Sequence, residues 1–149
     1  MKKMTACAFA AACVLAMAGQ ALCSARHFKA THEHFSLFSN QAAELYFKTE
    51  EQNERNILSH LTATSAIYAD KALMVSYLVD ILENMQDKTD KTYVLGKITE
   101  LKNFLASVMP EEIEFLSELV DSQGSSDVRL IGGRIINEMR VFERNIGNL

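Results

Sequence analysis

The chain has 149 residues, 48% of them hydrophobic, with 15 Lys and Arg against 19 Asp and Glu and a formal charge of −4. That length and apolar content suit one domain able to bury a real core, and the acidic balance gives no footing for nucleic acid or an anionic membrane surface. One Pro, six Gly and no Trp, combined with long runs of helical period, predict an all-α fold. The expected architecture is an exported helical bundle of four to five helices with a long central helix over about residues 57–86.

Residues 1–25 read as a signal peptide. Lys2 and Lys3 give a basic start, Thr5 to Ala18 is an alanine-rich apolar run, and Gly19 to Ala25 is a tail of small and polar residues. The apolar run is short for a membrane-spanning helix. Small residues at Cys23 and Ala25 place cleavage after Ala25, with Ala18 and Ala21 as other positions. Lipid attachment at Cys23 is disfavoured, because Leu22 stands where that pattern wants a small residue. All three cysteines (Cys7, Cys13, Cys23) lie in this leader. The mature domain, residues 26–149, is therefore expected to be periplasmic or secreted, free of disulfides and without a transmembrane segment.

Arg26 to His34 reads as an unstructured lead-in, yet it holds three of the four histidines. His27, His32 and His34 are candidate ligands for Cu²⁺, Ni²⁺ or Zn²⁺, since neutral imidazole suits all three ions. In an extended segment His32 and His34 point the same way, whereas on a helix they diverge. A mature start at Ala25-Arg26-His27 offers a second route, a free amine with His in third place. No fixed supporting shell is visible around these residues, which favours a solvated terminus without a metal or other cofactor.

Phe35, Phe38, Ala42 and Leu45 form the seam of a short first helix over about residues 34–48. Thr49 to Asn56 carries no apolar residue, and Thr49 followed by Gln52 resembles a capping box, so a break and fresh start belong there. The long helix follows. Leu58, Leu61, Ser65, Tyr68, Ala72, Val75, Val79 and Leu82 alternate steps of three and four along one face. A second seam (Ile67, Met74, Leu78, Ile81, Met85) leaves only Ser76, Asp80, Glu83, Asn84 and Asp87 for water. His60, beside the first seam, is expected to be partly exposed or hydrogen-bonded.

Asp87 to Thr92 is a polar link with Thr89 or Asp90 as N-cap. Val94, Ile98, Leu101, Leu105 and Val108 make the next seam, with Phe104 beside it, and this helix is expected to stop before Pro110. Pro110 then opens a fourth helix, whose seam is Ile113, Leu116 and Val120 with Phe115 and Leu119 alongside. Glu111, Glu112 and Glu114 look like acid–base machinery but suit the positive end of a helix dipole equally well, and the second reading is preferred. Gly124 stops that helix, and Ser126 or Asp127 caps a fifth with Val128, Ile131, Ile135, Met139, Phe142 and Ile146 inward. Gly132-Gly133 inside it implies close approach of another backbone, or a kink.

The chemistry is mostly absence. No haem-attachment motif, carboxylate-bridged di-metal motif, zinc-protease motif, phosphate loop or nucleophile elbow occurs. The expected function is accordingly that of a non-catalytic protein-interaction or structural module of the cell envelope. A metal-binding or metal-sensing protein and a small-molecule carrier are the alternatives. Two seams on one helix exceed what a simple bundle needs. Either five helices cover both, or Met74, Leu78, Ile81 and Met85 form an exposed interface for a protein partner or a second copy.

Overall fold

The computed structural model describes the backbone from residue 2 to residue 149, and side chains from Ala25 onward except Gln123. Four helices make up the chain: α1 (Lys2–Lys48), α2 (Gln52–Asn84), α3 (Lys88–Gln123) and α4 (Ser126–Gly147). No strand occurs among the described residues. Connections of only two or three residues force successive helices to run antiparallel. Inter-helix hydrogen bonds show it directly. Ser39 Oγ donates to the Thr62 carbonyl at 3.1 Å, His32 Nδ1 to that of Ala69 at 3.0 Å, and Ser76 Oγ to that of Ala25 at 3.0 Å, so α2 advances as α1 is read backwards. α1 packs on α2 and α4, α3 packs on the same two, and α2 also meets α4 across the bundle.

The first α2 seam and the α4 seam lie inside. On α2, Leu58, Leu61, Ser65, Tyr68, Ala72, Val75 and Val79 are buried and Leu82 partly so; on α4 the whole Val128–Ile146 seam is buried. Four aromatic rings tie three helices together. Phe142 of α4 meets Phe28 edge-on at 5.9 Å, Phe35 at 6.1 Å and Tyr68 at 6.3 Å, and Phe35 lies 5.9 Å from Tyr68.

The lead-in expected over Arg26–His34 is helical instead, part of α1. Phe28, Thr31, Phe35 and Ala42 are all buried, so the α1 seam begins well before His34. The polar Thr31 within it hides the repeat from a purely apolar reading. This longer α1 also reaches Ser76, which was assigned to the solvated strip; it is buried and bonded to Ala25. The side chains of residues 1–24, and with them the apolar Thr5–Ala18 run and the three cysteines, lie outside the described residues.

Pro110 does not divide two helices. It sits inside α3, which makes four helices rather than five. The reason is that Leu105, Met109, Ile113, Leu116 and Val120 keep one continuous inward phase across the proline, all of them buried. Pro110 and Ala106, whose carbonyl loses its helical donor, both face water, so the orphaned acceptor can be solvated.

Three termini depart from expectation in detail. The break after Lys48 is where it was read, but Glu51 precedes α2 without a side-chain cap, and the Thr49 hydroxyl bonds Glu54 at 3.0 Å rather than Gln52. Asp87, not Thr89 or Asp90, caps α3 and accepts from the Thr89 and Asp90 amides at 2.7 and 3.4 Å. Those amides hold its carboxyl below the usual range. Ser125 precedes α4, without a side-chain cap bond. Gly124 does close α3, its N–H bonded to the Val120 carbonyl at 3.1 Å, and a Cβ there would lie 2.7 Å from that same oxygen.

The paired glycines of α4 have different surroundings. A Cβ on Gly132 would meet Val120 Cγ2 at 2.6 Å, so the close approach is by a packed side chain of α3 rather than by backbone. A Cβ on Gly133 would meet nothing within 4 Å. Gly132→Ala should therefore cost about 1–3 kcal/mol through overpacking, while Gly133→Ala should gain about 0.5–1 kcal/mol from helix propensity. Urea titrations of both variants decide, and equal effects would refute this packing. By the same logic Pro110→Ala, which restores an i→i−4 bond at an exposed position, should raise stability by about 1–3 kcal/mol in the same assay.

Candidate functional site

Charged and aromatic side chains meet an apolar strip on the outer face between α2 and α3. The second α2 seam forms one wall. Ile67 is 56% exposed, Met74 48% and Ile81 43%, while Leu78 and Met85 are partly buried against the core. From α3 come Leu101, Phe104 and Val108, with Phe104 half exposed. Four helices rather than five leave this face uncovered, so the expectation that both seams would be internal fails for Ile67, Met74 and Ile81.

Two hollows lie along this groove. One, of about 450 Å³, is lined by Lys71, Met74, Leu78, Lys97, Glu100, Leu101 and Phe104. The other, of about 390 Å³, is lined by Thr64, Ile67, Tyr68, Lys71, Phe104, Leu105, Val108 and Glu112. They share Lys71 and Phe104: the Lys71 ammonium stands 5.7 Å from the Phe104 ring centre and bridges the groove between them. That placement lets the lysine stem cover apolar surface while the charge stays wet.

Polar groups stand at both ends of the groove. At one end the Thr64 hydroxyl donates to Glu112 Oε1 at 3.0 Å, and His60 lies edge-on to Phe115 at 5.9 Å, exposed as expected. At the other end Lys97 Nζ donates to Glu100 at 2.7 Å, which raises the lysine pKa. Burial, reinforced by Glu112 and Glu143, pushes the Tyr68 phenol above its ordinary range. Tyr68 lines the floor of the second hollow, largely buried. None of this makes a nucleophile–base pair. Glu111 and Glu114 are exposed on α3 past Pro110, and they sit in the middle of a helix instead of at its start.

The candidate metal ligands occupy one helix and diverge around it. His27 is exposed, His32 turns to the Ala69 carbonyl of α2, and His34 Nδ1 lies 3.2 Å from Glu138 of α4. Among the described residues no three His, Cys, Asp or Glu groups stand close enough to hold a metal ion. A smaller hollow of about 310 Å³ opens between α1 and α4, lined by Gln41, Glu44, Leu45, Lys48, Asp127, Leu130, Ile131 and Arg134, and the buried Gln41 Oε1 beside it has no partner. It was not foreseen from the sequence, because its lining is scattered over two distant segments.

Neither family models, nor curated proteins, nor solved structures match this chain. No helix among the described residues is long and apolar enough to cross a membrane.

If the groove is surface and not loosened core, polar substitutions should separate cleanly. Met74→Ser and Phe104→Ser should each change stability by under about 1 kcal/mol, whereas Leu105→Ser, one residue along and buried, should cost about 3 kcal/mol or more. Denaturant midpoints would check it, and comparable losses at all three positions would mean that the groove is closed in solution.

Proposed function

We propose that this protein is a non-catalytic, exported helical bundle that works by contact, with the α2–α3 groove as its protein-binding face. The observation that carries the reading is the half-exposed Ile67, Met74 and Phe104 set along two hollows. Isolated apolar residues on a surface need no explanation, but a continuous strip of them over two helices is what partner-binding grooves present. The mixed apolar and charged lining, without paired acid–base or nucleophilic groups, supports recognition over turnover.

Export adds a physical requirement. Ala25 lies within α1 and its carbonyl accepts from buried Ser76. Cleavage after Ala25 must then act on the unfolded chain, and it takes that hydrogen bond away with the leader. Cleavage after Ala18 or Ala21 keeps it.

The test is a photo-crosslinking side chain placed at Met74 or Phe104 in the producing cell, with exposed Glu118 of α3 as control position. A discrete protein adduct, of this chain or another, is expected at the first two positions and none at Glu118. No adduct at either groove position would remove the contact reading.

A further inference from the structure

Resting on that reading, we infer that the occupant of the groove is a second copy of this chain, its α2 laid antiparallel across the first. The outer edge of α2 carries Ile67, Asp70, Lys71 and Met74, all of them at least partly exposed. Reversed end for end, this edge has the same pattern: Ile67 and Met74 stand equally far from the Asp70–Lys71 midpoint, and an acid on one side of it answers a base on the other. A two-fold axis through that midpoint sets Ile67 against the partner's Met74 and Asp70 against the partner's Lys71, and each contact occurs twice. Small Ala63 then faces the partner's Leu78, so bulk meets space further out.

The charges choose among arrangements. Among the described residues neither Asp70 nor Lys71 takes part in an intrachain ion pair. Parallel packing in register would set Asp70 on Asp70 and Lys71 on Lys71, whereas the antiparallel one pairs each with its opposite. Such an interface is isologous and closes at two copies. Rim charges of this kind fix register and exclude wrong partners more than they add affinity, which comes from covering the apolar strip.

Sedimentation velocity on the purified full chain, over a concentration series, tests this with two charge reversals. Wild type should run as two chains. Asp70→Lys and Lys71→Asp should each weaken self-association on the order of a hundredfold, because every contact at the axis becomes like-charged. Mixing the two variants should restore a mixed two-chain species, and the double exchange Asp70→Lys/Lys71→Asp should self-associate again. Both positions are at the surface, and recovery on mixing cannot come from a variant that fails to fold. A wild-type monomer at all concentrations would overturn the inference, as would reversals that associate like wild type or fail to pair with each other. A monomer whose Met74 crosslinker captures a different protein would sink the second copy alone; a monomer without any adduct would sink the groove as well.

Discussion

The aromatic cluster of Phe28, Phe35, Tyr68 and Phe142 is the contact on which the bundle depends. Phe142 reaches both α1 and α2 from α4, so it helps fix how the last helix closes on the first hairpin. The edge-on arrangement adds directional preference to bulk burial, about 0.5–1.5 kcal/mol per pair beyond area. Around it, α1 and α2 come together through small residues, Ser39, Ala42, Ala69, Ala72 and Ser76, and this is the most intimate helix pair in the molecule. Because α2 is drawn toward α1 on one side, its opposite side opens from α3, where Met74, Leu78, Leu101 and Phe104 are all large. The groove is thus a consequence of packing elsewhere.

Much of this was legible in the sequence. Strict steps of three and four read correctly for the first α2 seam and for α4, because a continuous apolar repeat has only one helical phase that buries it. Pro110 misled for a definable reason. Taking Val108 as the end of the third seam leaves a gap before Ile113, while taking Met109 closes it, and Met109 is fully buried. Here the phase-continuous seam outweighs the proline, whose position and that of Ala106 lie on the exposed side of α3. At Arg26–His34 the error was compositional. Charged residues and histidine fill the exposed face, and Thr31 occupies an inward position that apolar counting skips.

The candidate site was half legible. Its α2 wall was visible as surplus hydrophobicity, since a helix needs one stripe and this one carries two. Its α3 wall was not, because Leu101 and Val108 read as members of an ordinary core seam and Phe104 as its flank. Which of two adjacent stripes is covered depends on how far apart the helices settle, and that follows from side-chain sizes on the opposite face of α2. No local window of sequence contains that information.

Ser65 shows how the same face tolerates imperfection. Its hydroxyl is completely buried in the α2 seam with no hydrogen-bond partner, a cost of about 1–3 kcal/mol. At zero exposure the site has no open side into which a larger residue could extend. Small size suits so enclosed a position, but alanine would meet that requirement without a hydroxyl, so Ser65→Ala should be neutral or stabilising in a urea titration. The same helix that turns this buried face inward leaves Ile67, Met74 and Ile81 facing outward. The stability of the interior and the availability of the outer face are two results of one packing choice, so a substitution that relaxed the α1–α2 contact would close the groove as it loosened the core.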